Sequence, residues 1–453
     1  MSLTAAQIQE RIEKQRAEHV ADFRRILESP SISAIPDHRK DIEETVRIAV
    51  ELLRAAGAEV TVFETRGNPV VFGHVENKKG APTVAVYNHL DVQPAMKGRD
   101  GWLRDPFMFA EEGGRFYARG ASDDKGPAMT ALWAARIARE LGVPTNVELI
   151  WELEEEIGSP NFAEFLDKAK PVIHADSIVV SDTQWLAADR PVVSRGLRGL
   201  LGVLLRLRTA QKDAHSGAVG GAARNPVTEL CEIVANCVDA QTGRISVPGF
   251  ERTWSAPTKE QVDGFVASGF SVSSFKAAHG LQKMRTEDVR EVTSRIWAMP
   301  TFEVHGIAGG YQDAGIKTIV PPWAEAKVSF RLVPGQDPDE VFALFERYVR
   351  SLNADCEVIK EAGLAPYAAD ISLPQVKAAV EALAFGFGVR PVFTMEGGSI
   401  GAVVTMQEKL GRPIAFMGLS LPEDGYHGPD ESFAWRQIEG GVKAFVKYFE
   451  LLA

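Results

Sequence analysis

Hydrophobic and polar positions alternate along this chain with two periods, one helical and one strand-like. Between Thr4 and about Leu27, Ile8 and Ile12 share one stripe of a helix that Thr4 is suited to cap. A second helix is predicted from about Asp41, because Ile42, Val46, Ala49 and Leu53 fall at helical spacing and Gly57 stops them. Residues 59–65 and 70–75 read as strands, and the apolar run at 83–88 reads as a buried one. That run stops abruptly at His89-Leu90-Asp91. A strand sets positions i and i+2 on one face, so His89 and Asp91 can enter a single site.

The same design repeats downstream. A short strand at 115–119 leads into Gly120-Ala121-Ser122-Asp123-Asp124-Lys125-Gly126, and a helix then runs to Leu141 and ends at Gly142. The apolar strand at 146–153 ends in Glu154-Glu155-Glu156, and the one at 177–180 ends in Ser181-Asp182. Strands alternating with helices predict an α/β fold with a mostly parallel, mixed sheet between helices. Ligand sites in such sheets lie at the carboxyl ends of the strands, where these polar residues collect.

Near Val193-Ser194-Arg195-Gly196 the pattern changes. A long strand at 200–207 precedes Asp213-Ala214-His215-Ser216-Gly217, followed by a helix near 225–238 and a weakly periodic stretch to about 303. A strand at 324–332, a helix at 338–352 and a strand at 356–361 complete the region. Residues 195–367 are therefore expected to form an inserted α+β domain, with 1–194 and 368–453 as a discontinuous first domain. The last segment again alternates helices with short apolar strands, as residues 1–194 do: a helix at 373–387, strands at 392–395 and 414–417, and a helix from about Ile438.

Length agrees with two domains, since 453 residues exceed one ordinary core. The net charge of −11, with no basic stripe, argues against nucleic acid as a partner. No apolar run reaches the length of a membrane span, and the N-terminus lacks a signal-peptide core. Cys231, Cys237 and Cys356 form no CxxC pair, which argues against a thiolate zinc site and fits a reducing cytoplasm.

The candidate ligands are His89, Asp123, Glu155 or Glu156, Asp182, and His427 in Gly425-Tyr426-His427-Gly428. This nitrogen-and-oxygen set suits Zn²⁺, and also Mn²⁺ or Co²⁺. Two imidazoles and three carboxylates exceed the needs of one catalytic metal. They suit two ions sharing a carboxylate, an arrangement that generates hydroxide and clamps a tetrahedral intermediate.

With these residues in place, the chain resembles the dinuclear metallopeptidases that include carnosinase, cytosolic nonspecific dipeptidase, carboxypeptidase G, aminoacylase and succinyl-diaminopimelate desuccinylase. The resemblance is carried by His89-Leu90-Asp91-Val92-Gln93-Pro94, Ala118-Arg119-Gly120 through Gly126, Glu155-Glu156-Ile157-Gly158-Ser159, Ser181-Asp182, Asp213 through Gly217, Ser329-Phe330-Arg331-Leu332-Val333-Pro334, Glu396-Gly397-Gly398-Ser399-Ile400 and His427. The last two multi-residue runs make it most similar to the dipeptidase and carnosinase branch.

The resemblance implies two divalent ions per subunit, zinc foremost, bridged by Asp123. His89 and Asp182 would complete one ion, Glu156 and His427 the other. Asp91 would orient His89, and Glu155 would be the general base. The Asp123–Asp124 bond resembles one that is cis in the family. The inserted domain would act as a lid and carry a homodimer interface, with His215 reaching the neighbouring subunit's site to stabilise the oxyanion. Arg331 would grip the substrate's C-terminal carboxylate, and Thr318 and Ser399 would hydrogen-bond substrate. The implied reaction is hydrolysis of dipeptides or short peptides with a free C-terminal carboxylate; hydrolysis of N-acyl amino acids on the same fold is the alternative.

Two departures stand out. Ile157 sits where a serine or threonine is common, and Glu154 makes the glutamate pair ambiguous by one step. Strand alternation, which puts Glu154 and Glu156 on one face and Glu155 on the other, together with Gly158-Ser159, sets the register. A remoter alternative is a serine hydrolase, since Gly397-Gly398-Ser399-Ile400-Gly401 fits a nucleophile elbow and Asp424 and His427 follow in order.

Overall fold

The computed structural model describes residues 2–453. It divides into two compact units. Unit 1 comprises the chain up to Arg195 with Ala369–Thr394 and Ile400–Ala453; unit 2 comprises Gly196–Ala368 and the short piece Met395–Ser399.

Unit 1 is built on a six-stranded sheet in the order Glu59–Phe63, Val70–Val75, Asn146–Glu152, Thr83–His89, Ser177–Val180, Ile414–Phe416. The last four run parallel, and the first two add antiparallel pairs. Every residue of Thr83–His89 and of Asn146–Glu152 is buried, as unbroken apolar runs require of central strands. In register, His89 lies opposite Glu152 and Tyr87 opposite Val180. The loops that follow these strands therefore leave the sheet at one edge, bringing residues 89–91, 154–156 and 181–182 together.

Helices Ala5–Leu27, Lys125–Glu140, Pro374–Phe387 and Trp435–Leu451 pack around this sheet. Thr4 caps the first as expected: its Oγ1 accepts from Gln7 N at 3.3 Å, and Gln7 Oε1 accepts from Thr4 N at 2.9 Å. Helix Lys125–Glu140 is buried along most of its length and carries Trp133 and Met129 into the core. Pro374–Phe387 and Trp435–Leu451 touch backbone to backbone. A Cβ on Gly386 would stand 2.3 Å from Gly440 O, so the crossing tolerates no side chain there.

Unit 2 holds a four-stranded antiparallel sheet in the order Thr301–Gly309, Trp323–Leu332, Gly199–Arg208, Glu357–Leu364. Alternation along Trp323–Leu332 sends Ala324, Ala326, Val328 and Phe330 into a core with Val341, Phe345 and Leu230 from helices Pro338–Leu352 and Pro226–Cys237. Lys327, Ser329 and Arg331 consequently belong to the opposite face. The weakly periodic stretch contains three short helices, Lys259–Ala267, Val272–Ala278 and Val289–Trp297, and the strand Thr301–Gly309. The first two helices bury at most one residue each, so they leave little apolar period in the sequence.

Candidate metal centre

All five predicted ligands lie in unit 1, with Asp91 and Glu155. His89 closes its strand with a fully buried ring. Its Nε2 stands 2.9 Å from Asp123 Oδ1 and 3.9 Å from Asp182 Oδ2. His427 Nε2 stands 2.8 Å from Asp123 Oδ2 and 3.2 Å from Glu156 Oε2. Asp123 thus sits between the two imidazoles and offers one oxygen to each. Two sets of potential ligand atoms, His89/Glu155/Asp182 and Asp123/Glu156/His427, each gather within 4.8 Å. The Asp123–Asp124 peptide is cis. Asp124 faces elsewhere, accepting from Asn88 Nδ2 at 2.8 Å and His89 N at 3.3 Å.

The glutamate register is decided by a turn, which corrects the expectation from strand alternation. The strand stops at Glu152, and Glu155–Ile157 form a single 3₁₀ turn closed by Gly158 at φ 86°. Asp91 holds that turn: its Oδ1 accepts from Glu155 N and its Oδ2 from Glu156 N, both at 3.1 Å. Glu154 is drawn away, accepting from Asn68 N at 2.8 Å and Asn161 Nδ2 at 2.9 Å. The His89 ring is held from behind, with Nδ1 at 3.0 Å from the Asp91 carbonyl oxygen and 3.5 Å from its carboxylate. Asp91 therefore touches both His89 and the glutamate turn.

Three contributors were not assigned from sequence. Glu431 is buried and accepts four hydrogen bonds: from Gly120 N (2.9 Å) and Arg119 NH1 (2.7 Å) on Oε2, and from Ser122 N (2.7 Å) and Asp123 N (2.9 Å) on Oε1. It clasps the loop that carries Asp123. Tyr426 stacks on His427 and donates its phenol proton in a very short bond to Asp182 Oδ1. Gln93 Nε2 donates to Glu156 Oε2 at 2.7 Å. Tyr426 and Gln93 are sequence neighbours of predicted ligands, whereas Glu431 is recognisable only from the backbone donors it meets.

The electrostatics are those of a carboxylate-rich hollow. Burial, reinforced by Asp182, Glu156 and Asp123, raises the Glu155 carboxyl well above the usual range against the pull of His89. Burial also pushes Asp182 up to about 7 and raises Glu156. For Asp123 burial acts in the same direction, but the hydrogen bonds from His427 and His89 outweigh it and hold the carboxyl well below normal. Burial would lower His427, yet contact with Asp123 and Glu156 pushes it up to about 11. Four carboxylates against two imidazoles in one hollow are mutually repelling, and all present nitrogen or oxygen donors. Divalent cations of the zinc, manganese or cobalt type fit both the charge and the donor chemistry.

The other predicted site residues belong to unit 2. His215 ends the short strand Ala214–His215, which pairs with Ile319–Val320 and puts His215 opposite Ile319; Thr318 immediately precedes that partner strand, and its carbonyl oxygen accepts from Ser216 N at 2.9 Å. Both side chains are exposed, and His215 Nδ1 accepts from Gly217 N at 2.9 Å. Arg331 NH1 donates to Ser399 Oγ at 3.1 Å, and Ser399 donates to Arg198 O at 2.5 Å. The nucleophile-elbow alternative is not supported. Ser399 donates its proton to a carbonyl, Asp424 is engaged by Arg115, Gln437 and Leu421 N, and His427 Nε2 is directed at Asp123 and Glu156.

Comparison with known proteins follows the same lines. The sequence pattern of peptidase family M20/M25/M40 matches residues 85–451. A Cys-Gly metallodipeptidase of Schizosaccharomyces pombe is 30% identical, with 100% of this chain and 99% of that one aligned. Among solved structures, human carnosine dipeptidase 1 superposes with a TM-score of 0.88 at 28% identity, covering 100% of this chain and 99% of the other. A family M20 metallo-carboxypeptidase from Sulfolobus solfataricus superposes with a TM-score of 0.89 at 30% identity, covering 96% and 99%.

Proposed function

Because the chain belongs to peptidase family M20/M25/M40, we propose that it hydrolyses dipeptides with a free C-terminal carboxylate, with Asp123 as the shared ligand of two divalent ions. The observation that carries this most directly is Asp123 set between His89 and His427, one oxygen to each, beside Glu155. His89 and Asp182 complete the donors on one side, Glu156 and His427 on the other. When bound, the ions, zinc foremost, would polarise the scissile carbonyl and lower the pKa of the attacking water.

The chain's own residues do the rest. Glu155 takes the water's proton and passes it to the leaving amine; its raised pKa favours holding a proton between those steps. Asp91 fixes the His89 ring and the Glu155–Glu156 backbone together. Arg331, steadied by Ser399, offers its guanidinium fork to the substrate carboxylate. His215 serves a partner subunit of a homodimer by stabilising the oxyanion, and Thr318 hydrogen-bonds substrate. Support for the dimer comes from the exposed His215 ring and from the edge strand Thr301–Gly309, which leaves Val304 and Ile307 in solvent. The three free cysteines favour a cytoplasmic setting.

The test is a panel of dipeptides and N-acetyl amino acids offered to protein loaded with Zn²⁺, Mn²⁺ or Co²⁺. Dipeptides are expected to be cleaved, a chelator to stop the reaction, and Glu155→Gln to lower kcat by roughly a hundredfold or more with metal retained. Turnover that survives chelation, or N-acetyl amino acids cleaved in place of dipeptides, would overturn the assignment.

A further inference from the structure

Unit 2 contains a cavity of about 2290 Å³ on the sheet face opposite its core, walled by residues 239–254 and 281–305. Its lining is basic although the chain is acidic: eight Arg and Lys residues against five Asp and Glu. Two of the five acids are paired locally, Glu325 with Arg206 and Glu251 with Arg252, itself one of the eight cations. Lys283, Arg285 and Lys327 have no carboxylate partner among the described residues.

Arg198 and Arg331 are close enough at one end for their charges to interact. Ser399 Oγ bonds both the Arg198 carbonyl and the Arg331 side chain, which ties the two residues together. Arg198 is anchored by donating from Nε to Gly397 O at 3.0 Å and from NH1 to Arg295 O at 3.4 Å. A guanidinium has five N–H donors, so most of its capacity is still free. Burial and the like charge of Arg331 together press Arg198 down to about 10, with Glu396 and Glu303 opposing. Along the same wall Arg295 NH1 donates to Thr242 O at 2.9 Å, and Arg285 lies against Gly243. Arg295 is already neutralised by Glu291, whereas Arg285 is not.

We propose that this cavity selects substrates whose C-terminal residue carries an acidic side chain, with Arg198 as the residue that distinguishes acidic from neutral. This rests on the proposed function, in which Arg331 grips the α-carboxylate. One fork is matched by one carboxylate. A second carboxylate within side-chain reach then meets Arg198, with Lys283 and Arg285 adding favourable potential. The like charge of Arg331 disfavours the Arg198 cation, and Glu396 and Glu303 offset this in part; a second substrate carboxylate favours that cation further, whereas a neutral isostere brings the free Arg198 donors no charged acceptor.

The test uses the isosteric pair Ala-Glu and Ala-Gln. Steady-state rates are measured on the metal-loaded enzyme, and binding by calorimetry on metal-loaded Glu155→Gln. Ala-Glu is expected to bind at least tenfold more tightly, with the difference in KM rather than kcat and shrinking at high salt. Arg198→Met should reduce the preference to about twofold or less; Arg198→Lys should keep part of it. Arg285→Met, which loses no partner, should weaken it as well and serves if Arg198→Met fails to fold. Equal binding of the two peptides, or a preference that survives Arg198→Met, overturns the proposal. If neither peptide is cleaved, the dipeptidase assignment fails by itself, while calorimetry still decides the acidic preference.

Discussion

Replacing Glu431 by glutamine removes one oxygen from a carboxylate that accepts four hydrogen bonds in a fully buried setting. A glutamine amide accepts through a single oxygen, so two of the four donors lose their acceptor whichever way the amide is turned, and its NH₂ group faces them. Hydrogen bonds to a charged group contribute about 1.5–3 kcal/mol each, which puts the gross loss at about 3–6 kcal/mol. Burial raises the Glu431 pKa, so part of that gain already offsets desolvation, and about 3 kcal/mol is the expected net cost. At roughly 2–4 °C per kcal/mol for a large domain, the melting temperature of unit 1 should fall by about 6–12 °C. Because Asp123 N is one of the tethered donors, the variant should also bind metal about tenfold more weakly in competition with a chromophoric chelator. Thermal unfolding with and without metal separates the two effects. A melting temperature within about 2 °C of wild type, together with a metal affinity within about twofold, would refute the role given to Glu431.

Tyr426→Phe deletes only the hydroxyl that donates to Asp182, and should weaken metal binding about tenfold and shift the visible spectrum of a Co²⁺-substituted centre; an unchanged spectrum and affinity would contradict it. In metal-free protein Asp182 is raised to about 7 and Glu155 well above the carboxylate range, so their folded pKa values exceed the unfolded ones. The stability they permit is present at low pH and is lost as pH rises from about 4 through 7, so the rise in melting temperature on adding Zn²⁺ should grow between about pH 5 and 8, and a constant increment would count against the site. His19, stacked on Trp133 at 4.4 Å with no hydrogen bond to either ring nitrogen, has its pKa lowered to about 4 by burial. Here stability is retained above about pH 6.5 and lost as pH falls toward 4, by up to about 3 kcal/mol, and His19→Phe should flatten that acid limb in denaturant titrations.

Much of unit 1 is legible in the linear chain because its signals are local. Thr4 and Gln7 state the first cap, and the apolar runs at Thr83–His89 and Asn146–Glu152 can be satisfied only as strands covered on both faces. The polar residues that end these runs point to the site because parallel strands bring their carboxyl ends to one edge. The helices of 259–297 are not legible in the same way, since two of them bury too little to impose a period.

By itself, then, the sequence determined which residue types are available for metal chemistry and that they follow strand ends. Tertiary structure decided which of three consecutive glutamates turn inward, because Asp91 and Asn68 from distant segments, and Asn161 from the following turn, compete for them. It also decided that Glu431 clasps the Asp123 loop and that Arg198 stands beside Arg331. Apart from Asn161, these partners are brought together from well-separated stretches of the chain, 308 positions apart for Glu431 and Asp123, and charge and hydrogen bonding act through space, with no imprint on the order of residues along the chain.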